Sequence, residues 1–401
     1  MTSETSSDQP EKQFRIKIIH SFGDIAREEW DRLANPPDQP FDPFLTWDFL
    51  EALEASGCAT SFTGWAGRHL ICQDDSGAYV GLMPLWLKTH SQGEYIFDHN
   101  FADAWQRAGG RWYPKLTSAV PFTPVPGRRF LVPNGPDQQM VRNAMINGLE
   151  QIGAASGLAT VQVNFAKDAD LAALQSARWL LREDRQFHFF NQGYGSFEDF
   201  LGELSSDKRK NLRKERAKAQ EGLEIVRLSG REIEEVHWDH FFACYQDTGA
   251  RKWGRPYLNR AFFSLLGERL ADHLVLILAR QDGEFIASAL NFLGSDTLYG
   301  RWWGRLADRP FLHFELCYYQ AIDEAIARGL KRVEAGAQGG HKLARGYVPV
   351  TTWQASWIGD PGLRAAIGDY LAHESAAMAD DNDWLNARTP FRHDVRQADG
   401  Q

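Results

Sequence analysis

The sequence predicts an α+β protein of two tandem, similar domains, each with a mixed, mainly antiparallel sheet flanked by helices. The chain has 401 residues, 43% of them hydrophobic, which is enough for two domains with their own cores. A pattern of strand, tight turn and strand occurs once in each half. Late in the second half, a strand, an amphipathic helix and another strand follow one another, which predicts a parallel strand pair.

The repeated pattern consists of two apolar segments joined by a short polar turn. Residues 69–87 contain HLICQ, the turn DDSG and AYVGLMPLWL, and residues 273–293 contain HLVLIL, an Asp-Gly turn and EFIASALNFL. Asp and Gly tolerate the positive φ angles of hairpin turns, so both segments predict antiparallel hairpins. A third strand is predicted after each hairpin, at 94–98 and at 298–303. A duplicated domain explains this match, and two unrelated hairpins remain the alternative.

The most regular helix is predicted from Pro310 to Ala327. Pro suits a first helical turn, and Gly329 suits the stop. An apolar stripe at helical spacing would pack on the sheet; it consists of Leu312, Leu316, Tyr319, Ile322, Ile326 and Leu330.

A second helix is predicted over 205–221 and is strongly basic. Its segment KRKNLRKERAK, 208–218, holds seven basic residues and one acidic residue, Glu215. Such a run is usually a solvated face, but it could contact tRNA phosphates, a phosphorylated precursor or an anionic membrane surface. Because no aromatic residues interleave with the charges, reading of bases is disfavoured and no DNA partner is predicted.

The domain boundary is predicted near NQGYGS at 191–196, where the strand pattern is interrupted. We therefore expect an N-terminal domain at 13–190 and a C-terminal domain at 191–390. The polar residues 1–12 predict a disordered tail, and 391–401 a flexible one.

Composition points to a reducing compartment. The formal net charge is -9, and the four cysteines are far apart, without a CxxC pair. No apolar run is long enough to span a bilayer, so we expect a cytoplasmic protein, with peripheral contact at the inner membrane face left open. Walker, GxGxxG, GxSxG and HExxH motifs do not occur, and no metal site is predicted.

The first candidate site is the junction between the predicted strand at 298–303 and the helix that follows. A helix start can bind anions, and His or Glu there could act as a general base. A helix-start Glu near the dipole and a His packed among aromatics are the alternative. The candidates are Tyr299, Arg301, Trp303, Arg305, Arg309, His313, Glu315 and Tyr319.

The second candidate site is the glycine-rich segment EAGAQGGHKLARGY at 334–347. Glycines allow backbone amides to converge on an anion, and several side chains add donors. The candidates are Glu334, Gln338, His341, Lys342 and Arg345. A structural loop is the alternative.

A third cluster lies in YIFDHNFADAW at 95–105, where Asp98, His99 and Asp103 are close in sequence. Their spacing matches no zinc signature, so we expect substrate binding at a strand end.

These segments together resemble the bacterial FemAB-like branch of the GNAT acyltransferase superfamily, often labelled peptidoglycan biosynthesis or recognition proteins. The resemblance covers 41–391 and includes FDPFLTWDFLEALEASG, GLMPLWLK, HSQGEYIFD, YPKLTSAVPFTPVPG, DKRKNLRKER, LYGRWWG, LHFELCYYQAIDEAI and GAQGGHKLARGYVP. It implies two tandem GNAT-like domains and transfer of an acyl or aminoacyl group to an amine.

The chain departs from the expected pattern at two places. Gly340 occupies the position of a carboxylate in GAQGEHK, whose role would fall to Glu334, Glu315 or water. Residues 305–310 lack the Q/R-x-x-G-x-G/A loop that binds pyrophosphate in ordinary GNAT enzymes.

The leading hypothesis is an N-acyltransferase that uses an acyl thioester and binds no permanent cofactor. Acyl-CoA, long-chain included, would be the co-substrate, and Arg305 and Arg309 would contact it. The acceptor would be a lipid amine, as in ceramide-type N-acylation of a sphingoid base, or an envelope precursor. Glu315 or His313 would be the base, and Gln338, His341 and Lys342 would contact the oxyanion or donor.

Two alternatives stay open. An aminoacyl-tRNA donor could serve a peptidoglycan precursor, with 208–218 contacting tRNA. A non-catalytic protein that binds an envelope precursor is the other.

Overall fold

The structure is a computed structural model that describes residues 12–252, 256–337, 339–386 and 388–392. Its strands are β1 Arg15–Ile19, β2 Trp65–Gly67, β3 His69–Gln73, β4 Tyr79–Met83, β5 Trp86–Lys88, β6 Lys115–Ser118, β7 Thr160–Asn164, β8 Leu180–Phe190, β9 Glu224–Ser229, β10 Leu274–Gln281, β11 Glu284–Leu293, β12 Thr297–Arg305, β13 Arg332–Ala337 and β14 Val348–Ile358. Its helices are α1 Arg27–Ala34, α2 Trp47–Ala55, α3 His99–Arg107, α4 Gln138–Ala155, α5 Asp168–Ser176, α6 Phe197–Glu203, α7 Ser206–Gln220, α8 Glu235–Lys252, α9 Arg260–Arg269, α10 Leu312–Phe314, α11 Gln320–Ala327 and α12 Pro361–Asn386.

Eleven strands form one sheet, in the order β2-β5-β6-β7-β14-β8-β13-β12-β11-β10-β9. Among the named strands of the described residues, only β6–β7 and β12–β13 pair in parallel. Each parallel pair follows an antiparallel pair in the chain. Its two strands are joined by a helical crossover, which is α4 in the first half and α10–α11 in the second. The predicted fold class, a mixed and mainly antiparallel sheet flanked by helices, is confirmed.

The two halves exchange their last strands. β8 follows β7 in the chain but pairs with β13, and β14 follows β13 but pairs with β7. β8 and β14 also pair with each other, at the centre of the sheet. The division at residue 190 stays a prediction. Strands from the two sides of this residue pair within one sheet, β8 with β13 and β7 with β14.

The repeat is only partly preserved. β10, β11 and β12 form the predicted three-stranded meander within the large sheet. In the first half, β3 and β4 pair with β1 in a separate three-stranded sheet. The strand predicted at 94–98 was wrong: this segment is a turn and loop, and β6 at 115–118 takes the place beside β5.

The helix predicted from 310 to 327 begins at Leu312. It includes a π-helical turn at Glu315–Tyr319 between α10 and α11. Leu312, Leu316, Tyr319 and Ile322 are fully buried, as the stripe predicts. The basic segment forms α7, and its Leu212 and Ala219 face the protein.

The aromatic side chains join the two halves in one apolar core. Phe44 and Phe49 lie 4.8 and 5.8 Å, between ring centres, from Phe292 on β11. Phe292 in turn contacts Trp302 on β12 at 5.7 Å. Ring pairs in such tilted and edge-to-face geometry contribute beyond the area they bury.

Candidate active site between the two halves

Strands β12 and β13 separate after a short parallel ladder. They pair from Thr297 with Arg332 to Tyr299 with Glu334, and β12 then continues to Arg305 beside β11 alone. Against β11, Gly300 pairs with Asn291 and Trp302 with Leu290, so Arg301 between them is the extra residue of a β-bulge. A bulge bends the strand and re-aims its side chains. It places Arg301 at the gap between the two strands.

Two cavities meet at this gap. The smaller has a volume of about 70 Å³ and is lined by Asn291, Arg301, Trp303, His313, Cys317 and Tyr318, among others. The larger is a cleft of about 870 Å³ whose walls come from both halves of the chain. Arg301, Trp302 and Trp303 line both, so the cavities are neighbours across β12.

The cleft is rich in aromatic side chains. From the first half these are Phe62, Trp65, Tyr95, Phe97 and Phe122, and from the second half Tyr245, Tyr257, Trp302 and Trp303. Phe62 is 97% exposed at its position in the lining, which is unusual for a large apolar side chain. The walls therefore suit a ligand with an apolar part.

Arg301 carries the positive charge of the gap. Its side chain is 1% exposed; Nη1 donates to the carbonyls of Gly300 and Glu334 at 3.1 Å, and Nη2 to the Glu334 carboxylate at 3.2 Å. Its Nε–H has no partner within the part of the chain that the structure describes. Burial lowers the pKa of Arg301, although Glu334 opposes this. A buried guanidinium with one unused donor can bind a carbonyl or oxyanion.

Glu334 is buried beneath this guanidinium, and His188 faces it from β8. Burial lowers the pKa of His188 to about 4, although the charge of Glu334 opposes this. His188 is therefore neutral at neutral pH, and the negative charge of Glu334 is balanced by Arg301 and by Arg332, whose Nε lies at 3.6 Å.

Two of the predicted histidines lie beside the smaller cavity. His313 packs on Trp303 with 4.4 Å between ring centres, and His341 lies 6.1 Å from His313. The Nε2 atom of His341 is 2.9 Å from the hydroxyl of Tyr318. The structure thus brings His313, Arg301 and Trp303 of the first candidate site close to His341 of the second.

Lys342 is buried but does not reach either cavity. Its Nζ donates to the carbonyls of Ala335 and Gly336 at 2.7 and 2.9 Å. Burial, with the nearby charge of Arg301, lowers its pKa to about 7. Gln338, which we predicted beside it, lies outside the described residues.

Three predicted residues face the basic helix and not the cleft. Glu315 is fully buried, and its Oε1 accepts from Gln220 at 2.8 Å and Gln320 at 2.6 Å. Tyr319 and Arg345 both bind Glu215 of α7. The placement of Glu315 gives no support to its expected role as base for a substrate in the cleft.

Arg305 and Arg309 hold the loop after β12. Arg305 binds Asp308, and Arg309 binds Gln281 and the carbonyl of Glu221. Neither lines a cavity described above. Their expected contact with a donor pyrophosphate finds no support in this arrangement. Tyr299 is buried behind Arg301 and stays out of the cavities as well.

The cluster predicted at 98–103 is divided by the fold. His99 lines the cleft and stacks on Phe97, with 5.8 Å between ring centres. Asp103 is exposed on α3. Asp98 is buried and accepts from Lys115 at 2.6 Å, Tyr113 at 2.7 Å and Trp112 at 2.8 Å. Although burial raises the pKa of Asp98, Lys115 and these donors lower it to about 2.

Most residues of the first-half wall of the cleft were not predicted from the sequence. His90 lies there, and its Nδ1 accepts from the backbone N–H of Gln92 at 3.2 Å. Burial, followed by the charge of Lys88, lowers the pKa of His90. The only available signal was the density of aromatic residues near HSQGEYIFD, which does not distinguish a cleft from a core.

Among the described residues, no group of His, Cys, Asp and Glu has the geometry of a metal site. In the same part of the chain, no helix is both long and apolar enough to cross a bilayer.

Comparison with known proteins now assigns the family. The model of FemAB-like proteins, described as peptidoglycan biosynthesis/recognition, matches residues 21–393. No curated protein matches the chain.

Comparison with solved structures gives matches at low identity. FemX superposes with a TM-score of 0.52 at 12% identity, over 88% of this chain and 100% of that chain. L-PGS from Bacillus licheniformis gives 0.47 at 10%, over 84% and 99%. A tandem GNAT protein from the clavulanic acid biosynthesis pathway gives 0.44 at 11%, over 87% and 99%. The likeness to FemX concerns the fold alone.

The family model spans both halves of the sheet, the basic helix and the glycine-rich segment, which are the features on which the sequence resemblance rested. The chain belongs to the FemAB-like family.

Proposed function

We propose that the protein is an N-acyltransferase that moves an acyl group from an acyl thioester, such as acyl-CoA, to an amine. The observation that carries the proposal is the gap between β12 and β13, where Arg301, whose buried Nε–H has no partner among the described residues, lines an aromatic cleft shared by both halves. Such a site offers a donor for an oxyanion next to room for an apolar chain.

The chemistry follows from these groups. The neutral amine attacks the thioester carbonyl, a C–N bond forms, and the oxyanion accepts a hydrogen bond from the guanidinium of Arg301. The C–S bond then breaks, and the proton lost by the amine ends on the leaving thiolate. His313 beside the smaller cavity, or water, would carry that proton.

The aromatic walls favour an acyl group or acceptor with a hydrocarbon chain. Each methylene moved from water into such a cleft contributes about 0.8 kcal/mol to binding. A lipid amine, such as a sphingoid base, or an amine on an envelope precursor is the acceptor class that we propose. The family description supports the envelope precursor.

The test is a panel of acyl-CoA chain lengths and amines with purified protein, read by thiol release and by mass spectrometry of the product. We expect turnover with at least one pair, and a loss of about tenfold or more in kcat/KM for Arg301→Lys, because lysine lacks the planar fork. Arg305→Lys is the matched control, since Arg305 lies on the same strand outside both cavities. Absence of thiol release with every pair would contradict the thioester donor.

An aminoacyl-tRNA donor is the second candidate, and one feature of α7 favours it. Lys208, Lys210 and Lys214 are exposed and make no ion pair or side-chain hydrogen bond with the described residues. Other basic residues of α7, namely Arg213, Arg216 and Lys218, are paired with carboxylates. Three free charges on one helix suit a polyanion.

Replacing these three lysines with glutamine should weaken tRNA binding and reduce the slope of its salt dependence. A second triple variant controls for net charge, because it removes three charges at exposed positions elsewhere: Arg15→Gln, Lys17→Gln and Lys331→Gln. Unchanged tRNA binding in the triple variant would remove this candidate, and loss of binding to anionic vesicles instead would assign α7 to a membrane surface.

A further inference from the structure

Strand β13 leaves its ladder at the point where it begins to line the cavities. It pairs with β8 at Glu334, opposite His188, and next at Ala337, opposite Gln186. Ala335 and Gly336 between them have no partner in β8, and Gly336 has a φ of 74°, which favours glycine. The carbonyls of these two residues therefore need another donor.

Lys342 supplies that donor. Its ammonium bonds both carbonyls, and its side chain is almost completely buried. No carboxylate of the described residues lies within salt-bridge distance of it. A buried lysine that binds only backbone carbonyls fixes the path of a strand, since its removal leaves those carbonyls unsatisfied.

The turn that carries Lys342 is tied to the basic helix. The guanidinium of Arg345, at the end of the turn Gly340–Arg345, donates to both carboxylate oxygens of Glu215, at 2.9 and 2.8 Å. It also donates to the carbonyl of His341 at 2.7 Å and lies 3.4 Å from the ring centre of Phe314. Glu215, the one acidic residue in the basic run, thus connects α7 to the turn that carries Lys342.

The same strand end forms part of both cavities. Ala335 lines the smaller cavity and Ala337 the larger cleft. We propose that Lys342 and the Glu215–Arg345 pair are positioning residues that hold the end of β13 away from β12 and so set the width of the gap beside Arg301. The catalytic consequence of this inference rests on the proposed function, but the structural arrangement does not.

The experiment combines amide hydrogen exchange on the full chain with kinetics. In Glu215→Gln and Lys342→Met, we expect amides of 335–337 and 339–346 to exchange about tenfold faster or more, because the side-chain hydrogen bonds that hold this segment are lost. The strands β10 and β11 should keep their wild-type exchange. Glu198→Gln is the matched control, because it breaks an exposed ion pair between Glu198 of α6 and Arg213 of α7.

Kinetics separates positioning from general stability. Lys342→Arg keeps donors for the two carbonyls and should recover most of the kcat that Lys342→Met loses, with KM little changed. Local exchange that stays at the wild-type rate in both Glu215→Gln and Lys342→Met would overturn the inference. If the two variants exchange faster locally but the wild-type protein transfers no acyl group, the positioning is upheld and the proposed function is contradicted instead.

Discussion

Buried charges lie under the sheet in both halves, but they are arranged differently. In the first half, Lys115 is fully buried and binds Glu94 at 2.7 Å, Asp98 at 2.6 Å and the side-chain oxygen of Gln162 at 2.7 Å. In the second half, Lys342 binds only carbonyls, and Arg301 keeps an N–H without a partner among the described residues. In the first cluster Lys115 has three side-chain acceptors, whereas in the second one donor of Arg301 is left without an acceptor among the described residues.

The difference follows from where the first strand of each parallel pair ends relative to its partner. β6 ends at Ser118, which still pairs with Val163 of β7, and the loop before α3 folds Glu94 and Asp98 inward. β12 continues beyond its last partner in β13 and carries the bulge at Arg301. The same strand order thus ends in a buried ion cluster at the first parallel pair and in a gap lined by Arg301 at the second.

The largest effect is expected from Lys115→Met. This change leaves Glu94 and Asp98 buried near each other without their shared cation, and breaking a buried ion pair costs about 3–5 kcal/mol. Urea unfolding measures the loss, and Lys17→Met at an exposed position should change stability by less than about 0.5 kcal/mol. A loss below about 1 kcal/mol for Lys115→Met would show that the cluster is not needed for the fold.

A pH-dependent effect is expected from Lys342. Its pKa is about 7 in the folded protein, against 10.5 for an ordinary lysine. Between these pH values the unfolded chain holds a proton that the folded chain has released, so the contribution of this site to stability rises with pH. The stability of the wild type relative to Lys342→Met should therefore increase by roughly 3 kcal/mol from about pH 7 to pH 9.5.

Unfolding of both proteins across this range measures the difference. Other titrating groups cancel in the comparison, since both proteins contain them. A difference that stays constant with pH would mean that the lysine is charged in the folded state throughout.

A smaller effect is expected from Gly64→Ala at the first-half wall of the cleft. Gly64 has a φ of +78°, and an added Cβ would overlap the ring of His90. Gly77→Ala is the matched control, with a φ of +85° and no atom within 4 Å of the new carbon. Both pay the left-handed penalty of about 1–2 kcal/mol, and Gly64→Ala should lose about 1 kcal/mol more by displacing His90.

Thermal or urea unfolding gives both values. Equal losses would show that the His90 ring moves aside freely, and the contact between the two residues would then have no role in shaping the cleft.

Much of the second half was predictable because its patterns are local. The meander of β10–β12 follows from apolar runs and an Asp-Gly turn, and the helix after it from the stripe that begins at Leu312. The segment at 94–98 looked equally like a strand. It failed because Glu94 and Asp98 are required inside the protein as partners of Lys115, a contact between residues distant in sequence.

The site was predicted in part. His313, His341, Arg301 and Trp303 come together because they lie on neighbouring elements of one local unit. Glu315 was expected to face a substrate. In the structure its side chain faces α7, where it contacts Gln220 and Arg216. Nothing local in the sequence indicates that contact.

The sequence by itself determined the family, the order of strands and helices in the second half, and the segments that carry polar side chains at strand ends. These follow from periodicity, turn residues and motif spacing, which act over a few residues. Only the tertiary structure decided the exchange of β8 and β14, the inward face of α7 and the pairing of Lys115. Each of these depends on contacts between residues that are distant in the sequence. The strength of such contacts depends on burial, and the folded chain alone determines which polar groups are buried together.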